Sequence, residues 1–338
     1  MGQCILRQDS RHNVRKCTSR PATIDLQASD ETDKNQAIPL TSKILSTSTG
    51  TNQQSFSTSD WGLFWSISLL WGASFLLMDI GLEAFKPGVI TWLRVGLGAG
   101  VLWVFPQTRV PVERADWPRL FALSIIWVAI PFSLFPIAQQ WINSALAGML
   151  NGGMPIFAAA IASILLRRLP RGAQMAGVGI GFLGVVAIAS PSLGEGSSEA
   201  LGVALVLLAT LCYGLAVTIA TPIQQRYGSL PVMGRMLGLA AIWTAPLGLV
   251  DALDSSWRWD SFMAVAIAGV LGTGLAFVIM GSLAGRVGST RASFITYVIP
   301  VVALLLGVMF RGDVVTVVSI VGVALVIMGA LLASQAEA

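Results

Sequence analysis

The chain has 338 residues, 54% of them apolar and only 11% charged, where an ordinary soluble domain carries about 25% charged residues. That deficit excludes most soluble enzymes. The net charge of +4 is spread over loops rather than gathered in a stripe, so no nucleic-acid partner is expected.

The first 60 residues hold 13 charged side chains and the remaining 278 hold 25. Residues 1–60 read as a polar, disordered cytoplasmic tail, because a segment rich in Ser, Thr, Gln and Asp buries too little apolar surface to fold alone. Its Met-Gly-Gln-Cys opening invites a lipidation reading, but Leu6 stands where the myristoylation pattern wants Ser or Thr. The tail lacks the short basic start of a signal sequence, and a misassigned start codon accounts for it equally well.

Ten apolar stretches follow, at residues 62–80, 88–105, 118–137, 144–166, 173–190, 200–221, 232–250, 261–282, 289–310 and 314–333. Each is close to the roughly 20 residues a helix needs to cross a bilayer core. None alternates in polarity as barrel strands do. The sequence therefore predicts an all-α integral membrane protein with ten transmembrane helices and the lipid bilayer as its solvent.

Loop charges set its orientation. With the N-terminus cytoplasmic, Arg109, Arg114, Arg119, Arg167, Arg168, Arg171, Arg226, Arg286 and Arg291 fall on inner connections, and Lys86, Arg258 and Arg311 on outer ones. This agrees with the positive-inside rule. Both termini are expected in the cytoplasm, on a multi-pass protein of the cell inner (plasma) membrane.

Several chemistries lack their residues. Cys4, Cys17 and Cys212 make no disulfide framework, and the single histidine, His12, lies in the tail. No zinc site, Ser-His pair or His-based protease can be assembled in the body. There is no GxxxxGK[ST] loop for ATP. No metal, cofactor or catalytic residue is expected.

The most specific signal is an internal repeat. An offset of 145 residues lays Ser144, Ala147 and Pro155 on Ser289, Ala292 and Pro300, Phe132 on Phe277, and the run from Gly177 on the run from Gly322. A slightly shorter offset sets Gly72 against Gly214 and Arg94 against Arg235 within one residue. The repeats are placed at residues 61–191 and 199–335. Five helices in each is an odd number, so the second half lies upside down relative to the first. Inverted repeats with a site at their interface characterise secondary transporters.

Residues Trp71–Gly100, WGASFLLMDIGLEAFKPGVITWLRVGLGAG, carry Trp-Gly, Ser-Phe, Leu-Glu, Pro and Leu-Arg in order. This run, with the proline-containing fourth helix and the basic residues after it, resembles the EamA-like family of the drug/metabolite transporter superfamily. The resemblance covers residues 61–335. It implies a ten-helix fold and export or exchange of small metabolites, often amino acids, through a central cavity. Asp79 departs from it, standing where many relatives carry Lys.

Few ionisable groups lie inside the spans, where they are costly and usually face protein or a wet cavity. Arg94 and Arg235 read either as gates or substrate-carboxylate contacts, or as structural groups, with Arg94 paired to Asp79 and Arg235 reaching interface carbonyls. Asp79 is expected to pair with Arg94 near the outer end, which would make it a poor proton carrier.

Pro155 and Pro300 free the carbonyls of Asn151 and Thr296. With the Asn151 amide and the Tyr297 hydroxyl, these carbonyls suggest a substrate site between the fourth and ninth helices; an ordinary packing kink is the alternative. Trp71, Phe75, Trp127, Phe132, Tyr213 and Phe277 suit an apolar cavity wall. Trp61, Trp92, Trp141, Trp257 and Trp259 suit interface anchors.

The leading reading is a secondary transporter that exports or exchanges a small amino acid-like or amphipathic metabolite by alternating access. A sugar-phosphate or nucleotide-sugar exchanger should carry several central cations, and no Lys follows Lys86. A non-transporting membrane assembly or receptor subunit is the rival from another class. The sequence leaves a homo-oligomer open.

Overall fold

The computed structural model describes residues 56–165, 172–193 and 196–335. The sequence reading of residues 1–55, including His12, Cys4 and Cys17, and of Arg167, Arg168 and Arg171 lies outside the described residues. Ten helical segments follow in chain order, and no strand occurs among the described residues. They are α1 (Thr58–Leu82), α2 (Pro87–Val104), α3 (Arg114–Ala138), α4 (Ser144–Leu165), α5 (Ala173–Leu193), α6 (Ser197–Tyr227), α7 (Ser229–Leu253), α8 (Trp259–Val287), α9 (Ile295–Arg311) and α10 (Val317–Gln335).

Nine of these are long and apolar enough to cross a bilayer. The tenth, α9, is shorter because the stretch expected at 289–310 is interrupted. A short helical turn, Ser289–Ala292, precedes it, and the chain turns at Ser293 and Phe294.

The helices pair as an inverted repeat requires. α1 packs on α9 as α6 packs on α4, and α8 packs on α1 as α3 packs on α6. Equivalent helices also meet each other, α2 with α7, α4 with α9 and α5 with α10. The α5–α10 seam is closed by glycine: a Cβ on Gly184 would fall 2.6 Å from the Val326 nitrogen, and one on Gly322 would fall 2.8 Å from the Gly184 carbonyl. Such backbone approach is how apolar helices adhere where lipid tails are as apolar as leucine. Trp92, expected as an interface anchor, instead lies across Gly248 of α7, whereas Trp61, Trp141, Trp257 and Trp259 are exposed.

Proline interrupts several helices, and local groups take up some of the carbonyls it releases. Pro136 in α3 releases the Phe132 carbonyl, which accepts from the Thr91 hydroxyl at 3.0 Å. Pro191 in α5 releases the Ala187 carbonyl, which accepts from Ser190 at 3.0 Å. Each repeat also contains one wide π turn, Ser124–Ala129 in α3 and Val270–Leu275 in α8. The two match under the repeat offset to within one residue. The first stands just before Pro131; the second contains Gly272, Thr273 and Gly274.

Two helix starts on the face opposite the α1 start, those of α2 and α4, are capped from the other repeat. Asp251 accepts from the Gly88 nitrogen at 2.7 Å, and Asp313 accepts from the Ala145 nitrogen at 2.9 Å and the Ser144 hydroxyl at 2.8 Å. A carboxylate there satisfies open N–H groups and the positive helix end together.

The glycine seam gives a direct test. Gly184→Leu should destabilise the protein by about 1–3 kcal/mol through overpacking, read as a lower melting temperature in detergent. Gly179→Leu, one turn away with open space around it, should leave melting unchanged.

Candidate functional site

Arg94 stands in the interior, two turns into α2, with 7% of its surface exposed. Its Nε donates to the Thr273 hydroxyl at 3.1 Å, one terminal nitrogen lies 3.1 Å from the Met78 sulfur, and its Cζ lies 4.4 Å from the centre of the Phe132 ring. No carboxylate pairs with it among the described residues. An ionised group removed from water loses several kcal/mol of solvation. A hydroxyl, a thioether and one aromatic face, the last worth about 2 kcal/mol when desolvated, repay only part of that.

The surroundings come from both repeats. The π turn of α8 presents Thr273, whose hydroxyl bonds back to the Ala268 carbonyl at 3.0 Å. Gly269, Gly272 and Gly274 bring that turn against α1 and α2: added Cβ atoms there would meet the Arg94 carbonyl, Ser74 and Val101.

Aromatic rings continue from the guanidinium. Phe132 and Phe135 of α3 meet Tyr213 of α6 at 6.4 and 5.8 Å between centroids, Phe75 of α1 meets Phe135 at 5.4 Å, and Trp71 meets Phe277 of α8 at 5.9 Å. The sequence-predicted Arg94, Trp71, Phe75, Phe132, Tyr213 and Phe277 are therefore gathered into one interior region. Trp127 lies on the π turn of α3, packed against the core cluster to which Phe132 belongs.

Other expectations are redistributed. Asp79 does not pair with Arg94. It forms an ion pair with Arg311 at the end of α9, and Arg311 also binds Glu83, which reaches Arg258 at 3.2 Å. The reason is rotation: Met78 and Asp79 are consecutive on α1, about 100° apart around its axis, so Met78 meets Arg94 while Asp79 turns to α9. Arg235, the counterpart of Arg94, donates to the carbonyls of Thr108, Pro231 and Val110 at 3.0, 2.9 and 2.7 Å. It pins α7 to the loop before α3.

The α4–α9 seam is tight. α4 breaks at Gly152 and Gly153, just before Pro155. An added Cβ on Gly152 would collide with Pro300, and one on Gly148 with Ala303. The Thr296 hydroxyl is bonded to the Ser293 carbonyl at 2.7 Å and the Tyr297 hydroxyl to the Ala330 carbonyl of α10 at 3.3 Å. Asn151 keeps a buried Oδ1 without a partner among the described residues.

Sequence reasoning missed three participants. Arg311 counted only as a loop charge. Thr273 is a hydroxyl in an apolar run. Gln139, just past α3, is 6% exposed and donates from Nε2 to the Phe75 carbonyl at 2.9 Å. Only the placement of Gln139, i+4 from Phe135 on one stripe, was a usable signal.

The sequence pattern of the EamA-like transporter family matches residues 60–190 and 200–335, one match to each repeat. The chain belongs to the EamA-like transporter family. Like its relatives, this EamA-like protein is a multi-pass membrane protein, and their names are those of transporters rather than catalysts. It is 25% identical over 260 residues to an uncharacterized transporter of Archaeoglobus fulgidus, covering 77% of this chain and 92% of that one. It is 24% identical to the uncharacterized transporter YdfC of Bacillus subtilis, and likewise to the uncharacterized inner membrane transporter YedA of Escherichia coli, covering 75% of this chain and 83% of each relative. A solved crystal structure superimposes with a TM-score of 0.58 at 21% identity, covering 84% of this chain and 100% of its own, a likeness of fold.

The revised ion pair is testable as a cycle. Arg311→Gln leaves Asp79 half-buried without its cation and should cost about 2 kcal/mol, between exposed and buried pairs. Adding Asp79→Asn should restore much of the melting temperature. Combining Asp79→Asn with Arg94→Gln should give additive losses, because those two groups do not touch.

Proposed function

We propose that this EamA-like protein is a secondary transporter that exports or exchanges a small amphipathic carboxylate, amino acid-like in size, by alternating access. The observation that carries this reading is Arg94, an interior guanidinium with no carboxylate partner among the described residues, set among aromatic rings. A substrate carboxylate would complete its coordination, and Trp71, Phe75 and Tyr213 would receive the apolar part. A single central cation suits one negative charge better than a sugar phosphate or nucleotide sugar.

In this reading the charged clusters at the two ends act as gates. On one face, Asp79, Glu83, Arg258 and Arg311 tie the end of α1 to α8 and α9. On the other, Glu113 just before α3 and Asp116 in its first turn hold Arg226 at 2.7 and 3.1 Å, and Asp116 accepts from Tyr227 at 2.7 Å, tying α3 to the end of α6. These are equivalent junctions under the repeat. Arg235 holds the second gate's loop in register, and the proline-broken α4 and α9, with Asn151, Thr296 and Tyr297 along their seam, supply flexure between the repeats.

Two experiments bear on this. In proteoliposomes, Arg94→Gln and Arg94→Lys should each lower apparent affinity for a transported monocarboxylate at least about tenfold, with normal membrane abundance; unchanged kinetics for every carboxylate would reject the site. We also infer cytoplasmic termini, from the arginine bias of the loops. Reporter fusions after Gln107 and after Gly196 should then report the cytoplasmic and the outer side, respectively.

A further inference from the structure

Gln139 has an unbalanced hydrogen-bond account. Its Nε2 donates to the Phe75 carbonyl at 2.9 Å, while its Oε1 is buried and has no donor among the described residues. Turning the amide over does not help, since it would set two oxygens against each other. A buried acceptor without a donor is expensive, and most such groups in folded proteins are satisfied. The Phe75 carbonyl lies within α1, where helical bonding already serves it, so anchoring that carbonyl does not by itself account for the glutamine.

Its position links it to the Arg94 site. Phe132, Phe135 and Gln139 share one stripe of α3. Phe132 lies under the guanidinium and Phe135 packs on both Phe75 and Tyr213. Arg94 touches Met78 and Gln139 touches Phe75, so the two polar groups reach α1 within a single turn. A cationic donor for a carboxylate and an unserved acceptor thus stand against the same turn of α1, with aromatic rings beside them. A molecule bearing a carboxylate and a nearby ammonium presents the complementary pair.

We propose that Gln139 is a specificity-determining residue of this site, its Oε1 accepting a hydrogen bond from an ammonium next to the carboxylate that Arg94 holds. The assignment rests on the carboxylate reading given above. It makes the protein selective for amino acids over the corresponding simple acids, and it assigns that selectivity to one amide oxygen. A buried hydrogen bond to a charged donor corresponds to a preference of roughly 10- to 100-fold.

The test uses matched probes differing only in the amino group, L-phenylalanine against 3-phenylpropanoate and L-leucine against 4-methylpentanoate. Binding is measured on purified full-length protein by tryptophan fluorescence and by thermal shift. Wild type should prefer the amino member of a pair at least about tenfold. Gln139→Leu and the closer isostere Gln139→Met should each abolish that preference while still binding the simple acid, and Arg94→Gln should lose both members.

If Arg94→Gln loses both acids and the Gln139 variants keep the preference, water serves the amide oxygen and this proposal alone falls. If Arg94→Gln binds both acids as wild type does, or wild type binds no probe, the carboxylate reading fails and this proposal with it. Equal loss of both pair members in the folded Gln139→Met variant would make Gln139 a packing residue and overturn the assignment.

Discussion

In a low-dielectric interior every polar group must find a partner, because no water stands ready to supply one. This constraint organises the protein. The proline-released carbonyls of Phe132 and Ala187 are taken by Thr91 and Ser190, and the starts of α2 and α4 are capped by carboxylates from the opposite repeat. Charges gather at the two ends, where Asp79 meets Arg311 and Asp116 meets Arg226. Among the described residues the buried side-chain oxygens left without a donor are one each on Gln139, Asn151 and Glu199. Of these, Gln139 shares one turn of α1 with Arg94, which has no carboxylate partner among the described residues, and that is where the substrate proposed above would bind.

Much of the architecture was legible in the sequence. Apolar length located the helices: the stretch expected at 118–137 lies within Arg114–Ala138, and that at 144–166 is Ser144–Leu165. The matched prolines and arginines revealed the repeat, and helix pairing follows it. What the sequence hid is rotation. A helix apolar on all sides carries no stripe to say which side meets which neighbour, so the sequence pairs Asp79 with Arg94, a contact that the adjacent Met78 makes instead. The same blindness hides which faces of α4 and α9 meet: Gly152 is pressed on Pro300 and the Tyr297 hydroxyl turns to α10.

The π turns escaped for a different reason. Pro131 hints at the one in α3, but Val270–Leu275 in α8 contains no proline. Its widening is tied to Thr273, whose hydroxyl bonds five residues back while accepting from Arg94. That geometry depends on a partner 179 positions away, which no local pattern encodes. Wide turns of this kind frequently mark functional positions in helices, and here they sit in both repeats at equivalent depth.

The divergence of Arg94 from Arg235 carries a thermodynamic consequence. Two inverted halves of identical sequence would present the same energy profile to a molecule arriving from either side. Here one half keeps its guanidinium open in the interior, and the other has its own bound to two loop carbonyls and one carbonyl of its own helix. On the proposed function, a passenger would climb and descend unequal slopes on its way through, and half-saturating concentrations on the two faces would differ. The final gradient is still set by whatever drives the cycle, since a fixed charge alters rates in both directions and supplies no work. Structural asymmetry of this kind would give such a carrier a preferred working concentration on each side of the membrane.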